Sequence, residues 1–176
     1  MEKKYELTAE CKIEAGVKLF RIRALKEIAR FLVKIGDLGG WIEKDDNLNQ
    51  SGDAWVSDNA RVSGDACVYD NACVYGNARV SGNAEVSGDA KVSGNAEVSG
   101  NADYIVFKNS WSSGRYFTFT RSNKMWMVGC FYGTGKELIK KAYGDSELTG
   151  RCYEAVVKAV EQIEAAKADL MKKNLN

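Results

Sequence analysis

The centre of the chain repeats a unit of six residues. From Ala54 onward, an alanine and, two positions later, a valine recur every six residues, as in AWVSDN, ARVSGD and ACVYDN. Apolar, polar and apolar residues alternate within each unit, which is typical of a short β-strand and does not fit the 3.6-residue period of a helix. Gly, Asn or Asp follows, and these residues form turns because they tolerate a positive φ. The pattern predicts short strands joined by corners, coiled so that valine stacks on valine.

Apolar residues upstream extend this repeat towards the N-terminus. Ile42 and Leu48 continue the spacing of the alanines, so degenerate repeats are predicted to begin near Leu38. The Gly39-Gly40 pair predicts a tight corner at the start of the coil. The next residue, Trp41, is expected to cover the open end of the core.

The segment before the repeat alternates in the manner of two antiparallel strands. Residues 5–13 and 17–25 have period-two patterns and are separated by Glu14-Ala-Gly16. This arrangement predicts a β-hairpin.

The segment after the repeat predicts a small sheet and two helices. A capping-box pattern at Thr134–Glu137 opens a short helix that ends near Gly144, and a second helix runs from about residue 147 to 170. The predicted domains are therefore an N-terminal hairpin, a repeat domain and a C-terminal α+β module, at residues 1–37, 38–104 and 105–176. The predicted strands of the C-terminal sheet are residues 104–107, 116–120 and 124–131.

The repeat resembles the hexapeptide repeat of left-handed parallel β-helix proteins, in which a small residue follows an aliphatic one by four positions. Val56 and Ala60 match this rule, as do Val62 and Ala66 and every later pair. In that family three hexads form one triangular coil, so residues eighteen apart share a face. The resemblance implies a mainly β fold, a left-handed parallel β-helix of somewhat under four coils, flanked by the hairpin and the C-terminal module with its two helices.

The resemblance also implies a homotrimer, because left-handed β-helix proteins are commonly trimeric. So thin a coil is expected to need capped ends and partner chains, since each repeat contacts only its neighbours.

Four further segments are similar to uncharacterised proteins of bacteriophages and prophages. They are the opening KYELT, GDLGGWIE at 36–43, SGDAWV from Ser51, and GCFYGT at 129–134. This resemblance implies a role in the cytoplasm of a host cell, acting on a host pathway or on host defence.

The charge balance argues against duplex nucleic acid as a partner, and the short apolar runs argue against a membrane-spanning segment. Lys and Arg number 25 and Asp and Glu 24, which leaves a net charge of +1 and no basic footprint for duplex nucleic acid. The apolar runs are too short and too interrupted to cross a membrane. The first residues carry no apolar run of the kind that begins a secretory signal, so we expect a cytosolic protein.

The five cysteines, odd in number and widely spaced, predict buried or half-buried thiols and no disulfide framework.

The absence of histidine bears on the chemistry. Most enzymes with this type of coil are acyltransferases that use a His base, and the carbonic anhydrases hold zinc with His, whereas this chain contains none. Gly133–Lys136 does not complete a phosphate-binding loop, because Cys130 and Glu137 occupy two of the required positions. We therefore predict no catalytic residue, no metal site and no cofactor.

One outward column of the predicted coil carries two stacked arginines. Arg61, Arg79 and Glu97 lie eighteen residues apart, and Glu97 can pair with Arg79 but hardly with Arg61. Like charges this close repel, so Arg61 requires an anion. The pair would suit a phosphate or a partner's carboxylates, and we weigh this interpretation slightly below the alternative that follows. The alternative is that both side chains extend into solvent, where screening weakens the repulsion.

Aromatic residues supply the other binding candidates. Trp55, Tyr69 and Tyr75 replace the serine or charge of later repeats, and they predict either a subunit interface, which we favour, or a ligand-binding patch. In the tail, Trp111, Arg115 and Tyr116 combine basic and aromatic groups that can stack on bases and pair with phosphates. The alternative for the tail is an aromatic face that packs on the helices.

The leading functional hypothesis is a non-enzymatic, phage-type interaction protein: a trimeric β-helix that binds and modulates a host protein, with counter-defence as one such role. A second hypothesis is a small-ligand binder that sequesters a nucleotide-type signal in clefts between subunits. A third is a structural assembly module.

Overall fold

The computed structural model describes residues 2–173. The chain divides into two compact units, Met1–Cys130 and Phe131–Asn176. The first contains the hairpin, the repeat and a small sheet, and the second contains two helices. The three-part division from the sequence stays a prediction.

The predicted N-terminal hairpin is confirmed. Strand β1 (Tyr5–Glu14) pairs antiparallel with β2 (Val17–Ala24). The connection uses Ala15 at φ 49° and Gly16 at φ 81°, and two consecutive positive φ values are typical of the tight turn that suits the strand twist. Strand β2 also pairs antiparallel with β3 (Leu38–Ile42), so the hairpin extends the first sheet of the repeat domain.

The repeat forms a parallel β-solenoid of about three turns, as the sequence predicted for this region. Three parallel ladders run along it, β3-β5-β8-β11, β4-β7-β10 and β6-β9, and successive repeat strands in a ladder are eighteen residues apart. The left hand of the coil stays a prediction. The eight repeat strands are β4 (Trp55–Val56), β5 (Arg61–Val62), β6 (Cys67–Val68), β7 (Cys73–Val74), β8 (Arg79–Val80), β9 (Glu85–Val86), β10 (Lys91–Val92) and β11 (Glu97–Val98).

The register of the first turn differs from the prediction. Ile42 pairs with Val62 and Leu48 bridges to Val68, so both upstream residues are twenty positions from their partners. They belong to the valine column, and their assignment to the alanine column was wrong. The two extra residues lie in the corner between Leu48 and Trp55, because a corner lengthens without disturbing the strands on either side of it.

The core of the solenoid is built from the two predicted apolar columns. The repeat valines and alanines from Ala54 to Val98 are at most 1% exposed, and Tyr5, Ile22 and Leu48 continue the same cluster. Trp41 is not the cover of the open end that we expected. It pairs with Arg61 on the outer side of β3, where Lys12 and Arg21 lie over its ring.

The repeat also ends earlier than expected. Ala102 is exposed and Asp103 closes a 3-10 turn (Asn101–Asp103) instead of continuing an outward column. Tyr104 begins the next antiparallel strand and does not close the valine column. Partial burial by itself would raise the pKa of Asp103, but its carboxylate accepts the Ser99 and Gly100 N–H groups, and these bonds together with Arg121 lower the pKa.

The two glycines of β3 serve close packing and do not form the tight corner that we expected. Both lie inside the strand. A Cβ on Gly39 would come within 2.5 Å of Ile22 Cγ1 and 2.7 Å of Trp55 Cζ2, and one on Gly40 within 2.7 Å of Val56 Cγ1. A side chain at either position would displace the core of the first turn.

The tail has the first two predicted strands and both predicted helices, but the third strand ends at Val128 and not at residue 131, and a fourth strand, Phe131–Gly133, was not predicted. In the first unit, β12 (Tyr104–Lys108), β13 (Tyr116–Thr120) and β14 (Met125–Val128) pair antiparallel. In the second unit, β15 (Phe131–Gly133) precedes α1 (Gly135–Asp145) and α2 (Glu147–Lys173). The capping box is present: Thr134 Oγ1 accepts the Glu137 N–H, and the Glu137 carboxylate accepts the Thr134 N–H.

Side chains close both ends of the solenoid. The N–H groups of the residues before and after each repeat valine donate to carbonyls of the following turn, as Arg61 N–H does to Ala78 O, so in the last turn these N–H groups, and in the first turn the matching carbonyls, have no adjacent turn to bond. Three of the terminal N–H groups donate to side-chain oxygens. These bonds are Glu85 N–H to Asn101 Oδ1 at 2.6 Å, Lys91 N–H to Thr118 Oγ1 at 3.0 Å, and Glu97 N–H to Ser122 Oγ at 2.7 Å.

Donors from the first residue of β1 and from the residue before it cap the opposite end. The buried Lys4 ammonium donates to Ala54 O at 2.8 Å and to Gly52 O at 3.3 Å, and the Tyr5 hydroxyl lies 2.7 Å from Leu48 O. Burial lowers the pKa of Lys4 to about 8, against the opposing charge of Asp53. The caps match the ladder in polarity, since donors meet carbonyls at one end and acceptors meet N–H groups at the other.

Candidate functional site

The predicted stack of arginines is confirmed, and its missing anion comes from the same chain. Arg61 pairs with Arg79, and Arg79 pairs with Glu97, in the parallel ladder. The Glu14 carboxylate lies 2.5 Å from Arg61 Nη1 and 3.8 Å from Arg79 Nη2, while Glu97 Oε1 is 3.4 Å from Arg79 Nη1. The turn of the hairpin therefore holds one carboxylate over two guanidinium groups.

A groove of about 190 Å³ opens beside these charges, and we call it the arginine groove. Val17 and Leu19 of β2 form an apolar wall, and the hydroxyls of Ser63 and Ser81 line the groove as well. Arg61 Nε is buried and has no hydrogen-bond partner among residues 2–173. A buried donor without a partner is costly, so the groove favours an occupant with acceptor oxygens.

Further positive charge lies on the neighbouring strands. Lys12 Nζ is 4.3 Å from the centre of the Trp41 ring, and the Arg21 guanidinium carbon is 5.1 Å from the same ring centre. Burial and the charge of Arg61 both lower the pKa of Lys12, although Glu14 opposes this shift. The arginine groove is thus the edge of a basic and aromatic face of the first sheet.

The expectation that Trp55 lies on the open surface is wrong. It is 2% exposed, because residues of the same chain cover it: Gly39 approaches its ring, and Phe31 and Val33 line the cavity beside it. Such intrachain packing removes this residue from the aromatic patch that favoured a subunit interface.

The two tyrosines are half-buried and lie in different surroundings. Tyr75 approaches the tail sheet, with its hydroxyl 3.3 Å from Met127 Sδ. Tyr69 donates to the Glu85 carboxylate at 3.1 Å, on the third ladder. Trp55 and Tyr75 line one cavity and Tyr69 does not.

That cavity, which we call the aromatic pocket, has a volume of about 220 Å³. The ladder β4-β7-β10 supplies Trp55, Cys73 and Lys91 from three successive turns. Burial raises the pKa of the Cys73 thiol to about 12, and Lys91 opposes this only in part. The Lys91 ammonium makes no ion pair or hydrogen bond among residues 2–173.

The three tail candidates lie where β12 and β13 connect, and none of them lines the arginine groove. Trp111 is 41% exposed and its ring centre is 6.2 Å from that of Phe117. Lys108 Nζ lies 5.6 Å from the ring of Tyr116, which is half-buried. The exposed Arg115 passes over Gly129, where an added Cβ would come within 3.2 Å of its Cδ. This is a second, separate basic and aromatic surface.

The other features that could carry a function are metal-binding groups, membrane-spanning helices and cysteines. Within residues 2–173, no group of three or more Cys, Asp or Glu side chains could hold a metal ion, and no helix is both long and apolar enough to cross a membrane. All five cysteines are free. The prediction of buried or half-buried thiols is wrong for Cys11 and Cys130, which are exposed, and right for Cys67, Cys73 and Cys152.

Comparison with known families agrees with the fold. The family model described as the YdcK beta solenoid repeat matches residues 54–70 and 72–88, which are two consecutive stretches of the repeat. The chain carries a β-solenoid repeat. No curated protein matches it.

Glu14 and Phe31 are among the members of these sites that the sequence analysis did not identify. Glu14 is the last residue of β1, directly before the hairpin turn and 47 residues before Arg61, and Phe31 lies in a 3-10 turn outside the repeat. Neither has a periodic signal, so only the folded chain connects them with the columns of the solenoid.

Proposed function

We propose that this chain is a non-enzymatic binding protein that recognises acidic groups of a partner protein at the arginine groove. The observation that carries the proposal is the pair of stacked guanidinium groups around one carboxylate, with Arg61 Nε left without a partner. Arginine forks suit carboxylates, and the Glu14 carboxylate already occupies the position that a partner's Asp or Glu would take.

The biological setting follows from the two sequence resemblances. A phage-type, left-handed hexapeptide-repeat protein would act in the cytoplasm of the host cell, bind a host protein and modulate it, with counter-defence as one such role. We propose a homotrimer on the same resemblance. The cover over Trp55 removes one argument for it, since that side chain is already packed against its own chain.

The alternative of a structural module that assembles end to end has less support. Side chains occupy ladder groups at both ends of the solenoid, so a second copy would have to displace Lys4 and Tyr5 at one end, or Asn101, Thr118 and Ser122 at the other. The alternative of a small-ligand binder is favoured by the aromatic pocket, which is a different site.

The test is a comparison of variants in capture from bacterial lysate, followed by titration of the captured protein. Arg61→Ala combined with Arg79→Ala should keep the fold and weaken binding at least tenfold, or about 1.4 kcal/mol. The matched control is Arg151→Ala with Lys158→Ala, which removes two exposed charges from α2 and should bind as the wild type does. Equal binding by the arginine variant would exclude the groove and make the surface around Trp111 and Arg115 the leading site.

Light scattering at micromolar concentration tests the oligomer. A trimer of the 19.4 kDa chain should scatter as a particle of about three times that mass. A mass near that of one chain would exclude the trimer and leave the proposed binding site unaffected.

A further inference from the structure

We propose that the aromatic pocket binds a small molecule that carries one planar aromatic ring and one carboxylate or phosphate group. This site is separate from the arginine groove, and the proposal does not depend on the binding of a partner protein there.

The pocket exists because a small residue separates two large ones in a single ladder. Trp55, Cys73 and Lys91 succeed each other on adjacent turns, at the spacing of about 4.8 Å between paired strands. The short Cys73 side chain leaves a gap between the indole and the lysine. Phe31, from the 3-10 turn after β2, and Tyr75, from the next corner, close the gap at its sides.

The walls favour a flat apolar group. Three of the lining side chains are aromatic, and aromatic rings attract each other in offset or edge-to-face contact at centre distances of about 4.5–7 Å. Trp55 is held firmly, since it is 2% exposed and packed against the first turn of the core. A pocket with rigid apolar walls and few polar groups is the usual form of a small-molecule site.

The charge favours an anion on that ring. Lys91 is half-buried and its ammonium has no carboxylate or carbonyl partner in residues 2–173. Asp58, whose charge also acts on the Cys73 thiol, is occupied by the Gly76 N–H at 3.0 Å. The Ser57 hydroxyl lines the pocket and provides a further donor. A carboxylate or phosphate would satisfy the lysine at the mouth while the ring fills the interior.

The size limits the ligand. A volume of about 220 Å³ corresponds to roughly seven water molecules at ~30 Å³ each. That space holds one ring with one small anionic group, as in benzoate or phenyl phosphate.

Isothermal titration of the full chain with benzoate and with phenyl phosphate tests the proposal. We expect at least one of the two to bind, and the stronger of them identifies the anionic group. Two control compounds should each bind at least tenfold more weakly than that probe. Phenol has the ring without a full charge, and inorganic phosphate has the charge without the ring. No binding of benzoate or phenyl phosphate at millimolar concentration, or equal binding of phosphate alone, would overturn the proposal.

Substitutions place the binding in this pocket. Lys91→Gln should lower the affinity for the probe at least tenfold, and Lys91→Arg should retain that affinity. Lys172→Gln, at an exposed position of α2, is the matched control and should leave the affinity unchanged. Ser57→Leu should exclude the ring by filling the space. The Arg61→Ala and Arg79→Ala double variant should bind the probe as the wild type does. Unchanged affinity in Lys91→Gln, or loss in the arginine variant, would assign the binding to another site.

Discussion

The caps at the last turn of the solenoid allow one hydrogen bond to be tested in two environments. Thr118 Oγ1 accepts the Lys91 N–H at 3.0 Å and Ser122 Oγ accepts the Glu97 N–H at 2.7 Å. Both bonds join a hydroxyl to a terminal strand, but Thr118 is 1% exposed and Ser122 lies at the surface. We predict that Thr118→Val destabilises the first unit much more than Ser122→Ala.

The magnitude follows from what replaces each bond. Because Thr118 is 1% exposed, we expect Thr118→Val to leave the Lys91 N–H without a partner and without access to water, and such a group costs about 1–3 kcal/mol. After Ser122→Ala water takes the place of the hydroxyl, so the loss should stay within about 0.5 kcal/mol. For a domain of this size, about 2 kcal/mol corresponds to a fall in Tm of about 4–8 °C.

The chain provides its own probe for this measurement. All four tryptophans, Trp41, Trp55, Trp111 and Trp126, precede Cys130, so tryptophan fluorescence in a urea titration reports the first unit without the helices of the second. Amide hydrogen exchange should show faster exchange of the Lys91 N–H in Thr118→Val. The capping argument would be refuted if both variants lost the same free energy of unfolding. It would also be refuted if Thr118→Val stayed within roughly 0.5 kcal/mol of the wild type.

Three further predictions follow from the core, the buried thiol and the composition. Val86→Asp places a charge at a position that is 0% exposed, so circular dichroism should show no cooperative unfolding, and native melting would mean that the in-out register is wrong. Burial raises the pKa of Cys73 from 9.0 to about 12. The contribution of the neutral thiol to the free energy of unfolding is therefore fully present below pH 9 and is lost as the pH rises towards 12. The stability of the wild type relative to Cys73→Ala should fall by about 1.4 kcal/mol per pH unit there, and a difference that stays flat with pH would contradict the burial effect. No acetyl transfer from acetyl-CoA is expected without a histidine, and transfer lost in Glu85→Gln or Glu97→Gln would show a carboxylate acting as the base.

Local patterns predicted the elements that depend on neighbours in the sequence. The Thr134 capping box is confirmed because its two hydrogen bonds join residues three apart. The stacking of Arg61 on Arg79 is confirmed because identical units must repeat the same geometry along a ladder. The phase of Leu48 was wrong because a corner can lengthen by two residues without any change in the strand pattern on either side.

The sequence by itself determined the period of the solenoid, its inward valine and alanine columns, the hairpin and the two helices, since each of these arises from side chains close together in the chain. Only the tertiary structure decided what lies against the outward columns. It places Glu14 on Arg61 and Phe31 beside Trp55, across 47 and 24 positions of sequence. Contacts over such separations depend on how the hairpin folds back on the coil, which no periodic pattern encodes. The outward residues therefore acquire their chemistry, as an occupied anion site and a half-covered pocket, from segments outside the repeat.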